Sequence, residues 1–183
     1  AVEGNSYKPA ILEGAISCES CHGPGGLHVE KHQQLQQTGE RTVEETDTTI
    51  VNPRHLSRGL SESICANCHL RGEATVLRQG STITDFRPGL PITDIRVDYM
   101  RSDAQGKMQV VGHVEQMRLS KCYTQTETLT CISCHNPHRT PAAEDRVEWH
   151  RQACFQCHQE PDCKEPHEKR LLKQPLDDCA ACH

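Results

Sequence analysis

The chain has 183 residues, with 12 Cys and 12 His, a formal charge of −5 and a mean hydropathy of −0.69. Only 3% of its residues are aromatic, which is little material for a conventional apolar core in one domain or two small ones. There is no long apolar run to span a membrane, no basic block to hold nucleic acid, and no GxGxxG or P-loop pattern to support a nucleotide fold.

In chain order, residues 1–17 read as an extended arm, and the opening AVEGNSY lacks the marks of a signal peptide. A Cys-x-x-Cys-His motif follows at Cys18, Cys21 and His22, then a turn over Gly23–Gly26. Residues 27–37 predict a short helix with His28 and His32 on one face, and 38–50 a polar, Thr-rich loop or exposed strand. Asn52-Pro53 predicts a turn, and 54–69 a helix that bears His55 and ends in a second motif, Cys65, Cys68 and His69. Glycines and prolines punctuate 74–112, where the runs ATVL, STITDF and MQVVG allow at most a small hairpin. Residues 113–123 predict a helix. A third motif stands at Cys131, Cys134 and His135. Residues 143–158 and 163–182 predict two helices that end in the motifs Cys154, Cys157, His158 and Cys179, Cys182, His183.

Ten of the twelve cysteines thus fall in five copies of CxxCH, the attachment pattern of c-type haem. Two thiols add to the porphyrin vinyl groups, and the adjacent histidine supplies an axial nitrogen to the iron. Zinc sites and thiol–disulfide centres also use CxxC pairs, but neither needs a histidine directly after the second cysteine. Five covalent haems, with their iron, are therefore expected, and their faces would replace the missing aromatic core. The expected fold is mainly α with much irregular structure and little β, a compact multihaem cytochrome c fold built around covalent haems. A pentahaem domain would span 1–183: loosely 1–73 with two haems, an irregular insertion over 74–112, and 113–183 with three. The remaining Cys122 and Cys163 are candidates for one disulfide, or for two separate buried thiols.

His22, His69, His135, His158 and His183 are the expected proximal ligands. Seven other histidines compete for the distal positions, enough for full bis-histidine ligation. His28 follows the glycine turn, and His55 and His113 each open a helical stretch. His138 stands too close to His135 to fold back on the same haem but could serve a neighbour. His150 and His167 compete for the later haems. His32, one turn from His28, could be a solvent-exposed neighbour instead. Met100, Met108 and Met117 are possible ligands too, though Met is more often core filler. A chain that stops on His183 leaves that haem uncovered, so a longer natural chain or a covering partner is expected.

Several segments carry a family resemblance. They are CESCHGPGGLH at 18–28, CANCH at 65–69, FRPGL at 86–90, GHVEQMRLSKCY at 112–123, LTCISCHNPH at 129–138 and DCAACH at 178–183. Together they resemble the multihaem cytochrome c family that includes the tetrahaem electron carrier of ammonia-oxidising bacteria. The resemblance implies electron transfer through bis-histidine haems in stacked and perpendicular pairs. It also implies distal-ligand roles for His28, His113 and His138. Some relatives keep one five-coordinate haem, and some large relatives are enzymes acting on nitrogen compounds.

The leading expectation is electron transfer through five haems between redox proteins or other cytochromes, in the periplasm or outside the cell. One rival is an oxidoreductase acting on nitrite, hydroxylamine or a similar small nitrogen compound at one open haem. Another is a subunit of a polymeric cytochrome wire or of a larger, membrane-associated or filamentous complex. No nucleic acid and no transmembrane segment are expected.

Overall fold

A computed structural model describes residues 16–39, 46–101, 112–159 and 162–182. The chain divides into two compact units, Ala1–Thr128 and Leu129–His183.

The first unit opens with α1 (Glu19–His22), closed by Gly23 at a φ of 73°. A positive φ suits glycine, and Pro24 behind it cannot continue the helix. Helix α2 (Gly26–Thr38) ends on Gly39 in the left-handed conformation, whose N–H reaches the Leu35 carbonyl. A 3-10 turn (Pro53–His55) precedes α3 (Arg58–His69). The helix expected from residue 54 therefore begins four residues later. Asn52 accepts the Arg54 N–H and Pro53 opens the turn, then Leu56 and Ser57 leave helical geometry, so His55 stands outside α3.

Helix α3 is the axis of this unit. Ile64 and Ala66 on its buried face join Phe86, Ile92 and Val114 in an apolar cluster. Each of the larger members contributes about 1.5–3 kcal/mol by burial. Strand β1 (Ala74–Leu77) pairs antiparallel with β2 (Arg96–Tyr99), Val76 opposite Val97. The hairpin is small, as expected. Its second strand is RVDY, not STITDF, whose Ile83–Asp85 forms a 3-10 turn closed by a Thr82/Asp85 capping box. Residues 108–111 of MQVVG lie outside the described residues. Arg96 is buried, spanning the Asp98 carboxylate and the Ala66 carbonyl at the end of α3. Helix α4 (His113–Leu119) packs on α3. Ser120 breaks the helix expected over 113–123. Its hydroxyl donates to Met117 O and accepts the Tyr123 N–H, which starts α5 (Lys121–Thr124).

The second unit holds α6 (Cys131–Cys134), α7 (Arg146–Phe155) and α8 (His167–Lys173). A Thr130/Ser133 capping box starts α6, and α6 packs on α7. The helix expected over 163–182 is confined to seven residues. Pro166 sets its start, and Gln174 turns extended ahead of Pro175, as the residue before a proline tends to do. The chain then forms a separate 3-10 turn at Cys179–Ala181. No described residue of this unit is buried. The fold class is mainly α, with one two-stranded sheet among the described residues and much irregular structure.

Candidate haem-attachment and axial-ligand sites

Each CxxCH segment forms a helical turn. His22, His135 and His158 direct their backbone N–H to the carbonyl of the first cysteine of their motif, at 2.9–3.0 Å. The second motif lies within α3, and in the fifth the Cys182 N–H reaches Cys179 O at 3.2 Å. In such a turn residues i, i+3 and i+4 share one face. That is why two cysteines separated by two residues, followed at once by histidine, present two thiols and an imidazole to one cofactor. His183 lies outside the described residues.

The first two motifs adjoin each other, since α1 packs on α3. The Cys21 thiol is pushed up from its ordinary range, first by burial and then by the Cys68 and Cys18 sulfurs nearby. His22 donates from Nδ1 to the Val51 carbonyl at 2.7 Å, and Val51 N–H returns a bond to His22 O. A carbonyl only accepts, so the proton sits on Nδ1 and the lone pair on Nε2. Metal-bound histidines are commonly oriented in this way.

Two motif histidines stand beside candidate distal ones. The His69 and His113 rings lie 5.2 Å apart between centroids, with a 3.1 Å hydrogen bond between their Nδ1 atoms. The His135 and His150 rings lie 5.7 Å apart, edge to face. The first pair depends on Gly112. A Cβ there would push the end of the Glu115 side chain aside and crowd the His69 carbonyl, so glycine suits the close start of α4 against the end of α3.

The other candidates are placed separately. His28 donates from Nδ1 to Asp47 Oδ2 at 2.8 Å, and His32 from Nε2 to the same oxygen at 3.0 Å. His55 contacts the Thr46 hydroxyl at 3.3 Å. His138 is exposed, its backbone N–H held by Asn136 Oδ1. His158 lies 4.0 Å from Asp162, and His167 lies 3.7 Å from Asp177. Met108 lies outside the described residues. Cys122 and Cys163 carry exposed thiols. They belong to different units, and the Cys163 sulfur has the Arg170 guanidinium as its hydrogen-bonding neighbour.

Four groups of supporting residues escaped the sequence reading. Glu62, 1% exposed, accepts from Arg58, Arg118 and the Tyr123 hydroxyl. Arg58 also lies over the Tyr123 ring at 3.3 Å and donates to the Tyr123 and Thr126 carbonyls. This network ties α3, which carries His69, to α4, which opens on His113. Burial, then Glu62, pushes the Tyr123 hydroxyl up from its ordinary range. The i,i+4 spacing of Arg58 and Glu62 was its one visible signal. Glu115, also buried, accepts the Arg71 N–H through Oε1, while Oε2 has no partner among the described residues.

Asp47 accepts from the Thr49 N–H and hydroxyl through Oδ1, and these bonds above all hold its carboxyl far below the usual range. The Asp-x-Thr spacing could have flagged that turn. In the second unit, Arg151 and Arg170 both bind Asp177, whose carboxyl is lowered chiefly by Arg170. Asp177 has a positive φ of 51° and lies two residues before Cys179, so the clamp sets where the last motif begins relative to α7.

Residues 125–163 match the family model described as a doubled CXXCH motif. That segment holds the third and fourth motifs, and such paired-motif domains are typical of multihaem c-type cytochromes. No curated protein and no solved structure matches the chain. The donor set fits c-type haem: paired thiols on one turn, an adjacent imidazole, and for two motifs a second imidazole alongside. The CXXCH motifs indicate covalent c-type haem binding, and the paired domain suggests a haem-binding electron-transfer cytochrome.

Proposed function

We propose that the chain carries five covalent c-type haems, most of them bis-histidine ligated, and transfers electrons between redox partners outside the cytoplasm. The observation that supports this best is the facing of His69 by His113 and of His135 by His150. A second imidazole beside the proximal one fills the position that a substrate would need, which favours a carrier over a catalyst. Each haem supplies one-electron Fe(III)/Fe(II) chemistry. The protein holds it through two thioether-forming cysteines, orients the axial rings through acceptors such as Val51 O, and excludes water with the little apolar surface it has.

In this reading His22, His69, His135, His158 and His183 are proximal. His113 and His150 are distal for the second and third motifs, and His28, His55, His138 and His167 compete for the three remaining distal positions. The chain belongs with the multihaem carriers that include the tetrahaem protein of ammonia oxidisers. Its −5 formal charge favours basic docking faces on partner cytochromes, with association weakened by salt. A periplasmic or extracellular site follows from c-type attachment, and no helix among the described residues is long and apolar enough to cross a membrane.

The test is a haem count by pyridine haemochrome on the mature protein, with ferric electron paramagnetic resonance on wild type, His113→Ala and His150→Ala. Five haems per chain are expected, with each variant converting one of them from low spin to high spin. Nitrite or nitric oxide binding by a high-spin haem in the wild-type protein would sink the carrier reading.

A further inference from the structure

We propose that Asp47 is the positioning residue for an axial histidine and that it selects His28, not His32, as the iron ligand. This rests on the proposed reading that the α2 face supplies a distal ligand. Helix α2 places the two rings one turn apart, 4.4 Å between centroids, and both address Asp47 Oδ2. They do so through different nitrogens. A carboxylate only accepts, so His28 carries its proton on Nδ1 and its lone pair on Nε2. Nε2 is the nitrogen remote from the Cβ, and it can approach a metal without steric conflict. His32 is reversed: its proton is on Nε2, and its lone pair sits on Nδ1, beside its own side-chain stem.

The carboxylate is itself fixed. Oδ1 accepts from the Thr49 N–H at 2.9 Å and the Thr49 hydroxyl at 2.6 Å, with the Lys31 ammonium at 3.4 Å. Oδ2 is thereby aimed at the rings. A carboxylate on the outer N–H of an axial imidazole fixes its tautomer and raises its basicity. A more basic ligand favours ferric over ferrous iron, so Asp47 lowers the potential of the haem that His28 serves. His28, His32 and Asp47 also present three ligand atoms within 4.8 Å of one another, as a divalent-cation site would. The Lys31 ammonium beside the carboxylate opposes that use.

The experiment uses the mature haem-loaded protein, with redox titration, ferric electron paramagnetic resonance and Zn²⁺ titration by calorimetry. Asp47→Asn is expected to raise the potential of one haem while every haem stays low spin. His28→Ala is expected to turn one haem high spin. His32→Ala is expected to keep every haem low spin and, since it removes a donor from Asp47 Oδ2, to lower one potential as Thr49→Val does. If Asp47→Asn does not mature, Thr49→Val serves in its place. It removes a donor from the carboxylate, strengthens Asp47 as an acceptor, and should lower the potential of a single haem. Unchanged potentials in Asp47→Asn, or in Thr49→Val where that variant stands in, with a high-spin haem in His28→Ala, overturn the role of Asp47 and leave the ligand reading standing. Low-spin iron throughout in His28→Ala overturns the ligand reading and the proposal together. A high-spin haem in His32→Ala reverses the assignment. Uptake of one Zn²⁺ per chain by the wild-type protein, lost in His32→Ala, makes the cluster a cation site and overturns the proposal.

Discussion

The first unit carries two CxxCH motifs and a small protein core; the second carries three motifs and, among its described residues, no buried side chain. In the first, Ile64, Ala66, Phe86, Ile92 and Val114 close over one another, and the buried carboxylate of Glu62 is satisfied from three sides. In the second, order rests on short helices, a capping box and the Arg151–Asp177–Arg170 clamp. None of those removes much apolar surface from water. The more densely a segment is supplied with attachment motifs, the less of its interior is made of amino acids. The second unit is therefore expected to depend on its cofactors for a core, while the first has a protein nucleus of its own.

Removing attachment should break this comparison most visibly. A variant with Cys131, Cys134, Cys154, Cys157, Cys179 and Cys182 all changed to Ala is expected to lose amide protection throughout Leu129–His183. The α3 segment should keep its protection in the same molecule. Hydrogen exchange read by mass spectrometry gives both values at once. Equal protection in the two units would show that the second folds without haem.

Within the first unit the next largest effect belongs to Glu62→Ala. It leaves Arg58 and Arg118 without their shared carboxylate and Tyr123 without its acceptor. Breaking a buried ion pair costs about 3–5 kcal/mol, and the lower end is expected here because Arg118 is 45% exposed. The loss should appear in denaturant unfolding of the first unit alone. Gly112→Ala comes next, at roughly 1–3 kcal/mol for overpacking. It forces α4 away from the His69 carbonyl, so the spectrum of one haem should change with it. A stability change of that size with every haem spectrum intact would separate the packing role of Gly112 from the facing of His69 and His113.

Most of the fold class was legible, because the evidence for it is local. The cysteine spacing, the helix over 27–37 and the hairpin strand at ATVL all follow from neighbours within one or two turns. Element ends were misjudged where a side chain competes with the backbone, as at Ser120, or where a proline acts through the preceding residue, as at Gln174. The site was legible as motifs but not as pairs. His69 and His113 are 44 positions apart, and only the packing of α4 on α3 brings them together. Asp47 sits in a polar Thr-rich stretch whose composition reads as plain loop.

The smallest effect, a pH dependence, separates the units by their ionic clamps. Asp177 is held below its ordinary value of 3.8, first by the bond from Arg170 and then by Arg151. A carboxyl whose folded value is depressed contributes stability that is fully present above the unfolded value. That contribution drains away as pH falls from about 3.8 through the folded value, where the proton finally displaces the arginines. Between neutrality and about pH 4 the second unit should therefore keep constant stability, and below that it should weaken. Asp177→Asn, which cannot titrate, should flatten that acid limb, leaving the second unit less stable at neutral pH and equal to wild type in strong acid. Proteolysis near Cys179 as a function of pH reads this directly. An acid limb that survives unchanged in Asp177→Asn would move the origin of the transition to haem propionates or to the carboxylates of the first unit.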